Sequence, residues 1–251
     1  MRAYRALSLA LWSIVACAQY GYAADYAREE RWAQEIAPAI VVGDPVYLST
    51  ASRSRILAIL TEPPGNAKGG VVIIHGVGVH PDWGLNGGIR TRLADAGLVT
   101  LSVQMPVLAA GATREEYRTT LPESSDRIAA AIRYLRDKGI TQLAIVSHSM
   151  GATMANAYLA RPDASAIDAW VPIGMFGAFD AQPKQPVLDV IAERDFDEVR
   201  AAAAERARHP IGIRCSRQLT IAGTDHYFDN RQDELAAAIA AFLDGVFAGR
   251  C

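Results

Sequence analysis

Three side chains have the types, the order and the local settings needed to activate a nucleophile. Ser149 lies in Ser147-His148-Ser149-Met150-Gly151-Ala152, where the apolar run Ala144-Ile145-Val146 breaks at small residues and gives way to an alanine-rich helical segment. A serine on a sharp strand-to-helix turn tolerates only small side chains two positions before and after it. Ser147 and Gly151 occupy those positions, so the pentapeptide reads S-x-S-x-G, a departure from G-x-S-x-G that lowers its specificity. Serine at its free pKa is a weak nucleophile and needs an imidazole to take its proton and return it to the leaving group. His226 follows the last expected strand, and Asp195 follows the one before it. A carboxylate on the second ring nitrogen fixes the tautomer and stabilises the imidazolium. Negative charge developing on a substrate carbonyl oxygen calls for fixed N–H donors, each worth about 3 kcal/mol. The amides of Met150 and of Val77, in His75-Gly76-Val77-Gly78, are the expected pair.

Each choice has rivals in the sequence. Ser147 competes with Ser149 but has a serine rather than a glycine two positions on; Asp189 lies within its strand rather than past its end, and Glu193 stands nearby. His75 suits the shaping of the donor loop, His148 sits inside the turn, and His209 lies before a proline well upstream of the last strand end. His80 is open to two readings, a ligand contact or a surface loop residue. No cysteine or histidine grouping has metal-ligand spacing, and no cofactor is expected.

Positioning these groups requires strands that end on one edge. Val46–Leu48 and Ile56–Leu60 read as an antiparallel edge after a polar segment containing Trp32. Val71–Ile74, Leu98–Val103, Leu143–Val146, Trp170–Ile173, Val187–Ala192 and Leu219–Ala222 read as buried strands. Between them lie helix-sized segments: 86–96, one capped by Ser124-Ser125-Asp126 and stopped at Gly139, 152–160 and 196–209. The closing helix carries Leu235, Ile239, Phe242 and Val246 on one face. This alternation implies an α/β architecture, a mostly parallel central sheet with helices on both faces, whose strand ends share one edge. Between Ile173 and Val187 only a short loop fits, so little or no lid is expected and the site should be open, with 175–179 placed to form an apolar wall.

The chain has 251 residues, 51% hydrophobic and 21% charged, which suits a single domain with its own core. A formal net charge of -2 carries no footprint for nucleic acid or an anionic membrane surface. Arg2 and Arg5 precede an apolar run to Ala16, and Gly21-Tyr22-Ala23 offers a cleavage site, so 1–23 reads as an export signal and 24–251 as the exported domain, periplasmic or extracellular. The run is too short for a membrane span. Ile14-Val15-Ala16-Cys17 offers the alternative of a lipid anchor at Cys17. Either event leaves Cys215 and Cys251, an even pair in a compartment where disulfides persist. If Cys215 enters the last strand and the last helix runs back antiparallel to it, Cys251 returns to the same end, and the bridge would stabilise by about 4 kcal/mol on the chain-entropy model.

With the order serine, acid, histidine established, the chain resembles a small bacterial member of the α/β-hydrolase superfamily over roughly Val46 to Phe247. The resemblance rests on His75-Gly76-Val77-Gly78, Ser147 to Ala152, Pro186 to Asp195 and Gly223-Thr224-Asp225-His226. His80-Pro81-Asp82-Trp83 is similar to an exported bacterial branch whose members lack an assigned function. The resemblance implies a serine hydrolase with Ser149, Asp195 and His226 as its triad, Val77 and Met150 as oxyanion donors, and His75, Gly76 and Gly151 shaping loop and turn. A soluble or polymer-attached carboxylic ester is the expected substrate; amidase or peptidase chemistry by the same triad, a non-catalytic envelope binding protein, and an assisting role in membrane-lipid remodelling through a lipidated Cys17 are the alternatives.

Overall fold

β-Branched runs build the centre of the molecule. In the computed structural model, which describes residues 24–208 and 212–250, eight strands form one sheet among the described residues. They are β1 (Asp44–Leu48), β2 (Ile56–Thr61), β3 (Gly70–Ile74), β4 (Val99–Val103), β5 (Leu143–His148), β6 (Ala169–Ile173), β7 (Leu188–Arg194) and β8 (Arg217–Asp225). Their order across the sheet is β1-β2-β4-β3-β5-β6-β7-β8. β1 and β2 pair antiparallel, β2 meets β4 antiparallel, and every later pairing is parallel. The expected antiparallel edge and parallel centre are both present. The expected export segment 1–23 with Cys17, and His209 and Cys251, lie outside the described residues.

Alternation along each strand splits the core into two layers. Val72 and Ile74 of β3 point to one face, where Ile128 and Leu135 of α4 (Leu121–Asp137) and Met154 and Tyr158 of α5 (Met150–Leu159) cover them. Val71 and Ile73 point to the other, where Ile89 and Leu93 of α2 (Leu85–Asp95) meet Leu235, Ile239 and Phe242 of α7 (Gln232–Phe247). A strand covered on both faces must be apolar at every position, and the five residues of β3 are all buried. α6 (Asp197–Arg208) adds a small cluster through Val199 and Ala203. Residues 174–187 join β6 to β7 without a helix, so no lid domain stands over this part of the sheet.

Two segments differ from the sequence expectation. The helix expected to be capped at 124–126 starts at Leu121, with Pro122 in its first turn and a short helix α3 (Arg114–Tyr117) and a 3-10 turn leading into it. Proline lacks the donor that a first turn does not need. The Ser124 and Ser125 hydroxyls donate back to the carbonyls of Thr120 and Leu121, so they sit inside the helix rather than before it. The segment around Trp32, read as merely polar, forms α1 (Tyr26–Ile36), capped by the Asp25 carboxylate accepting from the Arg28 amide at 2.9 Å.

Glu29 and Arg127 form one buried charged group, which Glu123 joins through Arg127. Arg127 of α4, fully buried, pairs with Glu29 of α1 at 2.9 Å and donates to the Gln104 carbonyl at 2.8 Å. Burial pushes the Glu29 carboxyl above its ordinary value, against the pull of Arg127. Removing one partner of such a pair leaves an uncompensated charge. Arg127→Ala is therefore expected to lower stability by about 3–5 kcal/mol in urea unfolding, and Glu29→Gln combined with Arg127→Met to recover much of that loss. Equal losses in the two variants would contradict it.

Candidate active site

The end of β5 passes directly into a helix through a strained turn. Ser149 has φ 58 and ψ −124, a conformation that an L-residue rarely adopts, and its amide donates to the Ile173 carbonyl at 2.9 Å. One residue on, α5 begins. A Cβ on Gly151 would lie 2.4 Å from the carbonyl oxygens of both Ile74 and His75, so only glycine lets the first turn of α5 pass the end of β3. Ser147, where glycine is usual, lies within β5 and is paired with Ile74 and Pro172. Its hydroxyl accepts from the Trp170 indole N–H at 3.0 Å, which gives the departing residue a structural task.

Asp195 and His226 reach the same edge from the ends of β7 and β8. Asp195 is buried, its Oδ1 accepting from the Phe196 amide at 2.9 Å and its Oδ2 from the Ala192 amide at 3.3 Å. Asp195 Oδ1 lies 2.6 Å from His226 Nδ1, and His226 Nε2 lies 3.0 Å from Ser149 Oγ. A carboxylate only accepts, so Nδ1 carries the proton and Nε2 is left to accept from the serine hydroxyl. The rivals are elsewhere: Asp189 is buried in a bidentate pair with Arg206 at 2.9 Å, and exposed Glu193 accepts from the Gly223 amide at 2.8 Å.

Sequence reasoning missed one member of this arrangement. Gly174, just past β6, has φ 57, and a Cβ there would lie 2.8 Å from His226 Cε1 and 3.4 Å from Asp195 Oδ2. Its only sequence signal is a glycine directly after a buried strand.

Two further histidines hold the loops. His75 is buried, its Nδ1–H donating to the Gly76 carbonyl at 2.9 Å while Nε2 accepts from the Met105 amide at 2.8 Å. Burial lowers its pKa to about 3. His148 donates from Nε2 to the backbone carbonyl of His226 at 2.9 Å, tethering the loop that carries that ring. Burial first and the neighbouring His226 second lower the His148 pKa to about 4. His80 lies between Trp32 and Trp83, with ring centroids 5.7 and 5.6 Å away, so it supports the rim through Trp83. The amides of Val77 and Met150 donate to no protein group among the described residues.

Above Ser149 opens a cavity of about 440 Å³ reached by Gly76, Val77, Ser149 and His226 and walled by Phe176 from the 174–187 loop. Trp83, Phe196 and Tyr227 stand at its mouth, 59%, 45% and 57% exposed. Arg114 lies over the Phe176 ring at 3.7 Å. No group of three or more His, Cys, Asp or Glu that could hold a metal occurs among the described residues.

Comparison with solved structures places the fold among the α/β-hydrolases. Est1E from Butyrivibrio proteoclasticus is 18% identical with a TM-score of 0.63, the alignment covering 82% of this chain and 99% of that one. A dienelactone hydrolase from Anabaena variabilis is 19% identical, TM-score 0.61, over 82% and 97%. A thermostable carboxyl esterase from Bacillus coagulans is 13% identical, TM-score 0.63, over 83% and 100%. At the sequence level, the family described as protein of unknown function (DUF3530) matches residues 44–126, a stretch that includes the 75–78 loop and ends before Ser149. No curated protein matches the chain.

The low pKa values of His75 and His148 couple folding to pH. Unfolding returns each ring to about 6.5, so between that value and the folded one the unfolded chain binds more protons and stability falls as pH falls. Each ring contributes a loss of about 2 kcal/mol from pH 6.5 to pH 5. Chemical unfolding across this window should show a shallower decline in His148→Gln than in the parent; identical slopes would contradict the assignment.

Proposed function

We propose that the protein is a serine hydrolase that cleaves a carboxylic ester through an acyl-enzyme on Ser149. The observation that carries this reading is the continuous line from Ser149 Oγ to His226 Nε2 at 3.0 Å and from His226 Nδ1 to Asp195 Oδ1 at 2.6 Å, set at a strained turn. His226 takes the serine proton as Oγ attacks the ester carbonyl, and Asp195 stabilises the imidazolium. The Val77 and Met150 amides are assigned to the carbonyl oxygen as it becomes an oxyanion. His226 then gives the proton to the departing alcohol, leaving an acyl group on Ser149. Water, deprotonated by the same ring, attacks the acyl carbonyl and releases the acid, with the proton returning to Oγ.

The open mouth and its exposed aromatic rings favour a substrate with apolar or flat faces, small or displayed on a polymer. Export of the mature chain from Ala24 fits a second proposal, a Cys215–Cys251 disulfide. The residues before the two cysteines meet, Arg214 donating to the Arg250 carbonyl at 3.4 Å.

A fluorophosphonate probe should label the protein and Ser147→Ala but not Ser149→Ala. Turnover of a p-nitrophenyl ester should fall by at least about 10³-fold in Ser149→Ala or His226→Ala, and by about 10⁴-fold in Asp195→Asn. No labelling of the folded parent would replace this reading with a non-catalytic binding protein of the same fold. For the disulfide, thiol titration of the unfolded mature chain should find no free thiol before reduction and two after it; two free thiols at the outset would refute it.

A further inference from the structure

α1 is keyed into the loop that carries the Val77 amide. Arg28 projects from the first turn of α1 and donates from Nη1 to the Leu108 carbonyl at 3.0 Å and from Nη2 to the Gly78 carbonyl at 3.3 Å. One guanidinium thus joins the loop after β3 to the loop after β4. Its Cζ lies over the Trp32 ring, 4.5 Å from the centroid, one turn further along the helix. A planar fork stacked on an indole is pre-organised, whereas a flexible ammonium is not.

We propose that Arg28 is a positioning residue that fixes the Val77 amide for the oxyanion, so that the donor loop is set only when α1 is docked. The inference rests on the hydrolase reading for its consequence in catalysis, and on geometry for the restraint itself. The Gly76 carbonyl and the Val77 N–H belong to one trans peptide and point in opposite directions. With His75 Nδ1–H holding that carbonyl at 2.9 Å, the plane is fixed from the N-terminal side. On the other side the chain passes Gly78, whose φ of 65 lies in the region open to glycine, so the backbone there has several accessible conformations. Arg28 holds the Gly78 carbonyl and removes that freedom.

The helix itself is locked to the same support. The Asp25 amide donates to the Val107 carbonyl at 2.6 Å, and the Glu29 carboxylate accepts from the Val107 amide at 3.2 Å. Arg127 closes this group by pairing with Glu29 and donating to the Gln104 carbonyl. The 104–108 segment in turn supplies the Met105 amide to His75 Nε2 at 2.8 Å. α1 therefore acts on the donor loop from both ends, directly at Gly78 and through 104–108 and His75 at Gly76.

The test uses the full mature chain with Arg28→Met, which keeps an apolar stem against Trp32, and Arg28→Lys, which keeps a charge but not the fork. On a p-nitrophenyl ester, Arg28→Met should lower kcat at least about tenfold with KM within about twofold, and Arg28→Lys should recover part of it. Backbone ¹⁵N relaxation supplies a readout independent of turnover. The Val77, Gly78 and Val79 amides should be rigid in the parent, with order parameters near about 0.85, and fall below about 0.6 in Arg28→Met, while 149–152 stay unchanged. Rigid 77–79 amides in a folded Arg28→Met would overturn the proposal whatever happens to kcat. A parent without turnover but with the expected loosening would fail the hydrolase reading and leave the restraint supported.

Discussion

At the end of β5 two backbones cross at closest approach. The first turn of α5 runs so near the end of β3 that a single methyl on Gly151 would collide with two carbonyl oxygens at 2.4 Å. This crossing forces the chain through a left-handed conformation at Ser149, and the strained turn lifts the hydroxyl out of the sheet edge toward His226. It also sets the level at which the other loops must meet. The 75–78 loop leaves β3 beside the serine, and a Cβ on Gly76 would lie 3.1 Å from Ser149 Cβ. Gly174 makes room under the His226 and Asp195 side chains in the same way. Three glycines after three strands thus let Ser149, Asp195 and His226 approach one another, because backbone must pass where a side chain would not fit.

Around this crossing three histidines have separate electrical lives. His75 and His148 are buried, held neutral with pKa values of about 3 and about 4, and spend their polar atoms on backbone groups. A ring that stays neutral over the working range is a dependable strut, because its donor and acceptor do not change places with pH. His226 alone faces both a carboxylate and a hydroxyl. The same residue type supplies two braces and one ring set between an acid and a serine, and environment rather than sequence neighbourhood separates them.

The N-terminal helix extends this support outward. Its Arg28 and Glu29 side chains engage the backbone of the loops after β3 and β4, and its Trp32 reaches the rim through His80 and Trp83. In an edge-to-centre view of the sheet, the short β1–β2 pair closes one side while α1 closes the loops above it. Glu29 and Arg127 tie α1 to α4 through a buried ion pair, and Glu123 shares the same guanidinium.

The succession of buried strands along the chain, their parallel centre and antiparallel edge, and the candidacy of Ser149, Asp195 and His226 at strand ends were legible in the sequence. They follow from local physics: β-branched runs bury on both faces, small residues surround a tight turn, and functional groups follow strand ends. Three things were not legible. The cap of α4 was placed at 124–126 because serines before an apolar face resemble a cap, yet Pro122, two residues before Ser124, and a preceding short helix carried the helix back to Leu121. α1 reads as polar because Glu29, its buried carboxylate, is neutralised by Arg127, far away in sequence, and not by a neighbour. The tasks of Gly174, Ser147 and His148 depend on which strands lie side by side. The sequence by itself determined which elements form and which residues end them, because those are contests between near neighbours. Only the tertiary structure decided which of those ends meet, because contact between residues dozens of positions apart is fixed by sheet order and packing.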